Sequence, residues 1–266
     1  MTPPPTTAAT TAATTADRLV ARAALLAGAG TGAVTALAVT VQPAFALGEG
    51  YPARVAFVGA GVMLVALAGL RIHHPFARVG PANLVTGTRA LLVALLAAVA
   101  LEPAGGALGW WLVGTATVAA ALDLADGWLA RRTQLASAFG ARFDMEVDAL
   151  LILVLSVLVW RAGLTGAWVL ASGLLRYAFV AAALALPWLT RALPPSRRRQ
   201  TICVVQIAAL IAALAPVVPP PAAVALAAAS LALLTWSFWR DVAWLFATRD
   251  PEPRVPGPEP RRPRPT

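Results

Sequence analysis

Long unbroken apolar stretches organise this chain; neither strict alternation nor a one-sided helical stripe does. Eight of them, at residues 19–41, 52–70, 82–101, 107–129, 144–160, 165–187, 201–217 and 221–247, are long enough to cross a hydrocarbon core of about 30 Å. Strands alternate with a period of two, so continuous runs argue against them. In lipid every backbone polar group must be satisfied internally, which leaves helices. The expected fold class is all-α, a polytopic membrane helix bundle. The two ends read differently. Residues 1–17 are dominated by Thr, Ala and Pro, and residues 249–266 alternate Pro with Arg and Glu; both are expected to be disordered tails. Gly28 and Gly32 form a small-xxx-small pair on the first span, expected to serve helix packing.

Composition sharpens the membrane reading. Apolar residues make up 59% of the chain and charged residues 12%, against about 25% charged in a soluble domain. All 21 basic residues are Arg and the net charge is +9. They cluster after alternate spans: Arg71 and Arg78; Arg131, Arg132 and Arg142; Arg191 and Arg197 to Arg199; and the C-terminal group from Arg249 onward. The opposite side carries little beyond Arg54 and Arg161. The positive-inside rule then places both termini and the 130–143 loop in the cytoplasm. The expectation is an integral protein of a bacterial inner membrane, with the lipid bilayer as its partner. The arginines form no soluble basic face, so no nucleic-acid partner is expected. Cys203 is the only cysteine; it excludes an intrachain disulfide and reads as a packing residue.

Chemistry concentrates in one place. Of twelve acidic residues, five fall between positions 123 and 148: Asp123, Asp126, Asp144, Glu146 and Asp148. Asp123 and Asp126 are three apart at the end of one span, and Asp144 and Asp148 are four apart at the start of the next, so each pair shares a helix face. Carboxylates that converge at a membrane rim repel unless cations lie between them. Hard oxygen ligands suit Mg²⁺ or Mn²⁺, and two such ions about 4 Å apart form a clamp for a phosphoryl centre. Glu146 lies about 200° around the helix from Asp144 and is left out of the site. Gly127 offers close backbone approach, Arg131 a phosphate partner, and Gly140 a position where a Cβ is excluded. Arg176 stands inside an apolar span and must face the bundle interior; it either binds an acceptor phosphate or pairs with a carboxylate. Arg197, Arg198 and Arg199 open the seventh span and are candidates for the same anionic acceptor. A competing reading is an ion-coupled transporter using the intramembrane acids. The Gly, Ala and Arg residues woven between them disfavour it, because a cation site needs only carboxylates.

The run Asp123-x2-Asp126-Gly127-x2-Ala130-Arg131-x8-Gly140-x3-Asp144-x3-Asp148 resembles the signature of the CDP-alcohol phosphatidyltransferase family at every fixed position. Pro81-x-Asn83-x2-Thr86-x2-Arg89 looks like the segment that opens the first core helix of that family. The resemblance implies a six-helix core over 81–248, preceded by two additional transmembrane helices within 18–80. It also implies that Asp123, Asp126 and Asp144 hold the divalent ions, with Asp148 contributing. Gly127, Ala130, Arg131 and Gly140, together with Asn83 and Thr86, would bind a CDP-diacylglycerol-like donor. Asp148 would take the proton of a small alcohol acceptor as CMP leaves. A homodimer is a further implication of the resemblance.

Overall fold

The computed structural model describes residues 6–73, 79–102, 106–133 and 137–249; side chains at 6–16, 72–73, 124–131 and 133 lie outside the description. Among the described residues there are eight α-helices and no strand. They are α1 (Thr6–Ala44), α2 (Tyr51–His73), α3 (Pro81–Ala98), α4 (Gly106–Thr133), α5 (Ala138–Arg161), α6 (Ala171–Ala185), α7 (Arg197–Leu214) and α8 (Pro220–Ala247). This is an all-α polytopic membrane bundle.

Local chemistry sets the helix ends. Pro81 opens α3 at a position whose N–H has no helical partner in any case. Ser137 caps α5, its hydroxyl accepting from the Gly140 N–H at 3.0 Å. The far end of α5 closes on Gly163, at φ +69°. There the Gly163 N–H donates to the Trp160 carbonyl at 2.9 Å and the Leu164 N–H to the Val159 carbonyl at 3.2 Å. Both bonds use carbonyls that the helix leaves unpaired, and the left-handed turn favours glycine. Pro187 cannot continue α6 and instead opens a short 3₁₀ turn.

Polarity is arranged for lipid. Phe57, Leu184 and Val65 are highly exposed, while Arg89, Gln206 and Ser156 are fully buried. The apolar exterior meets acyl chains, and polar groups gather inside the bundle. Five helices are long and apolar enough to span a bilayer by length and composition: Asp17–Ala44, Tyr51–Arg71, Pro81–Leu101, Ala167–Ala185 and Pro220–Ala247. The sequence reading counts eight. Two of the three others, α5 and α7, carry Asp144, Glu146 and Asp148, or Arg197 to Arg199, within their length.

α5 is the hub, packing against α2, α3, α6 and α7, while α4 lies between α3 and α7. Its Leu151, Leu155, Leu158 and Val159 enter the main core with Val93, Leu95 and Leu96 of α3 and Leu210 of α7. At Gly173 of α6 an added Cβ would lie 2.4 Å from the Leu153 Cα, so α5 and α6 touch backbone to backbone. The α1–α2 hairpin is fastened to α3 at the opposite end from the α4–α5 junction. The Tyr51 hydroxyl donates to the Leu95 carbonyl at 3.3 Å, Arg54 Nε to the Ala98 carbonyl at 3.2 Å, and Arg54 pairs with Glu102, which also accepts from the Gly48 N–H at 3.0 Å.

Three expectations change. The helix of the first span begins at Thr6, not near residue 18. After Pro5 the Ala/Thr run holds no Gly or Pro, and Ala is the strongest helix former, so the span propagates toward the N-terminus. The packing glycine of α1 is Gly30, whose added Cβ would lie 2.7 Å from Leu91 Cδ1; Gly28 and Gly32 face open space, about 200° away around the helix. Helices α4 and α5 extend to Thr133 and from Ala138, so the connection is much shorter than 130–143 and Gly140 sits in the first turn of α5. The expected C-terminal tail lies outside the described residues from position 250 onward.

Candidate active site

The end of α4 and the first turns of α5 bring together residues 21 or more positions apart in sequence. One carboxylate oxygen each from Asp123, Asp144 and Asp148 lies within 4.8 Å of the others. Asp144 and Asp148 are one turn apart on one face of α5, and α4 and α5 both pack against α3 and α7, which sets Asp123 near them. All three are only partly buried, so the cluster opens outward. Asp126, Gly127, Ala130 and Arg131 follow on the backbone of α4, but their side chains lie outside the described residues.

A cation not assigned from the sequence sits against this cluster. Arg89, on α3, is 0% exposed. Its Nη1 lies 2.8 Å from Asp123 Oδ1 and 2.5 Å from Asp144 Oδ1, and its Nη2 pairs with Asp148 Oδ1. Its Nε donates to the Ala119 carbonyl at 3.1 Å, one turn before Asp123 on α4. One planar guanidinium thus joins three helices through a fork geometry that a point charge cannot reproduce. A signal was available: Arg89 is the only charge in α3, and an intramembrane charge is a functional hypothesis by default. The same rule singled out Arg176 instead.

The other oxygen of Asp148 accepts from Cys203 Sγ on α7 at 3.7 Å, so Cys203 borders the site instead of packing only against apolar neighbours. Asn83 and Thr86 are buried on α3. Thr86 precedes Arg89 by three residues and shares its face; its hydroxyl donates back to the Ala82 carbonyl at 3.1 Å. Asn83 explains Gly140: a Cβ there would lie 2.7 Å from Asn83 Oδ1 and 3.4 Å from Ser137 Oγ. This glycine is a close-approach position between α3 and α5.

The arginines considered for the acceptor lie elsewhere. Arg176 pairs with Glu146, the acid left out of the site, and neither is bonded to the aspartate cluster in the described contacts. Arg198 donates to the Ser237 carbonyl at 3.0 Å and pairs with Asp241, and Arg199 lies 3.3 Å from Asp241 Oδ1. Both are therefore tied to α8 through Asp241. Arg197 is exposed at the start of α7.

The donor set fits a hard divalent cation. Three described carboxylates against one guanidinium leave an excess of two negative charges, with oxygens close enough to share an ion. No curated protein and no solved structure matches the chain. A family model does: the one described as CDP-alcohol phosphatidyltransferase covers residues 80–238, from the start of α3 into α8. That match spans more than half of the sequence and includes every member of the aspartate cluster, and the chain belongs to the CDP-alcohol phosphatidyltransferase family.

Proposed function

We propose that this protein moves a phosphatidyl or similarly substituted phosphate group from a CDP-linked lipid to an alcohol, releasing CMP, in phospholipid biosynthesis. The observation that carries the reading is the convergence of Asp123, Asp144 and Asp148, on helices that also hold the remaining fixed positions of the family motif. Helices α3 to α8 form the catalytic unit in this reading, and α1 and α2 an added hairpin.

Asp123, Asp126, Asp144 and Asp148 would hold one or two Mg²⁺ or Mn²⁺ ions, which when bound supply charge neutralisation at the donor diphosphate. Asp148 takes the proton from the acceptor hydroxyl. That oxygen forms a new bond to the β-phosphorus, the bond from this phosphorus to the bridging oxygen breaks, and CMP departs with the electron pair. Positioning and charge carry most of such a transfer, and a placed carboxylate base adds about 10²–10⁴-fold. Arg131, Gly127, Ala130 and Gly140, with Asn83 and Thr86, form the donor side. Glycerol 3-phosphate or an inositol phosphate suits the cationic start of α7, where Arg197 is the exposed member of the trio; Arg176 is a weaker acceptor residue because Glu146 already engages it. The arginine distribution supports a site facing the cytoplasm of a bacterial inner membrane. The family match lends the transporter reading no support, and the homodimer implied by the resemblance is carried by no observation on this chain.

The test is CMP release by purified protein given CDP-diacylglycerol, Mg²⁺ or Mn²⁺, and a panel of acceptors. Metal-dependent release with one acceptor supports the reading. No release with any acceptor, from folded protein, refutes it.

A further inference from the structure

We propose that Arg89 is the resident counter-cation of the metal-free site, a positioning residue whose guanidinium holds the aspartates together and competes with divalent ions for them. The inference rests on the metal-dependent reading above and goes beyond it, because no role in that reading falls to Arg89.

Three features point the same way. First, position: Nη1 of Arg89 contacts Asp123 and Asp144 and Nη2 contacts Asp148, and those residues are the ones whose oxygens converge closely enough to share an ion. A guanidinium and a divalent ion therefore seek the same electron pairs. Second, anchoring: the side chain is fully enclosed and its Nε is fixed on the Ala119 carbonyl at 3.1 Å. A surface arginine could swing into water, whereas this one stays beside the cluster. Third, charge balance: without a cation the three aspartates would face one another across less than 5 Å, and like charges at that range repel strongly in a protein environment. One guanidinium gathers the three carboxylates without matching their charge one for one, so the cluster is preassembled and still attractive to a divalent ion.

This arrangement predicts an asymmetry. Removing Arg89 destabilises the metal-free protein, because it leaves carboxylates without their partner. The same change removes a competitor, so the divalent ion binds more tightly and restores more stability than it does in the unaltered protein. An arginine with only a scaffolding role would lower stability equally in both states and leave metal affinity unchanged.

The experiment uses full-length protein in detergent, stripped with chelator, in unaltered, Arg89→Met and Arg89→Lys forms. Mn²⁺ binding is titrated by electron paramagnetic resonance, and thermal unfolding is measured with and without Mn²⁺. For Arg89→Met the expected result is a lower melting temperature without metal, a larger Mn²⁺-induced rise, and Mn²⁺ affinity about ten-fold tighter or more. Arg89→Lys, with one point charge and no fork, falls between. Unchanged Mn²⁺ affinity with equal losses of stability in both states overturns the proposal. If Arg89→Met does not fold even with Mn²⁺, the lysine variant decides on the same two readouts. Failure of the underlying reading looks different: unaltered protein would then bind no Mn²⁺ that Asp123→Asn abolishes.

Discussion

Asp148→Asn separates the chemical from the structural contribution of the cluster. The change is nearly isosteric and removes one negative charge. In the metal-free state Asp148 feels two carboxylates within 4.8 Å and one guanidinium in direct contact. At an effective dielectric of about 20, each repulsion is about 3.5 kcal/mol, and the attraction at about 3 Å is about 5 kcal/mol. The two repulsions together exceed the attraction by about 2 kcal/mol. Partial exposure of the aspartates shrinks the repulsions through screening more than the contact to buried Arg89, so the two sides come close to cancelling. Asp148→Asn should therefore leave the metal-free protein as stable as before, or slightly more so, while CMP release falls by about 10²–10⁴-fold. Thermal unfolding of chelator-treated protein and a coupled CMP assay on one preparation read both quantities. Full activity in the variant refutes Asp148 as the base. A large loss of metal-free stability with activity retained refutes the charge balance as well, and would make Asp148 an anchor for Arg89.

Three further outcomes follow from the packing. Gly173→Ala places a Cβ 2.4 Å from the Leu153 Cα, where backbone must move; a loss of about 1–3 kcal/mol is expected in detergent unfolding, and an unchanged midpoint would show that α5 and α6 separate freely. Gly140→Ala drives its Cβ against Asn83 Oδ1 at 2.7 Å; because Asn83 must turn away, the KM for the CDP-linked donor should rise several-fold, and an unaltered KM removes Asn83 from the donor side. Arg54→Ala strands Glu102, whose side chain is only 8% exposed, at a cost of about 3 kcal/mol. Adding Glu102→Gln should recover part of that loss, since it neutralises the stranded charge, and a strictly additive pair would mean the two residues act separately.

How much could be read in the chain beforehand depended on whether a property was local. Helical class was legible because lipid permits few alternatives, and the aspartates of each pair were legible because helical spacing alone puts them on one face. The helix edges were not: Thr6 to Ala16 look like a polar tail by composition, yet nothing in them stops a helix already nucleated downstream. Gly28, Gly30 and Gly32 are equivalent as sequence, and only the location of Leu91 on α3 selects Gly30. The pairing of Asp241 is not local either: its arginine partners lie 42 and 43 positions away.

Arg89 shows why the site itself was only half visible. The acidic motif announces where negative charge accumulates, but says nothing about what holds that charge together before a substrate or ion arrives. The answer lies on a different helix, 34 residues before Asp123, in a segment where Arg89 is the only charged residue. A buried arginine in such a helix is expensive, and a compensating partner of opposite charge is the usual way to tolerate it. Among the described residues, the acidic cluster able to meet it is the one on α4 and α5. Through Arg89, α3 contacts the candidate active site as directly as do the helices that carry the aspartates. A divalent ion entering the aspartate cluster would meet the Arg89 charge already standing there.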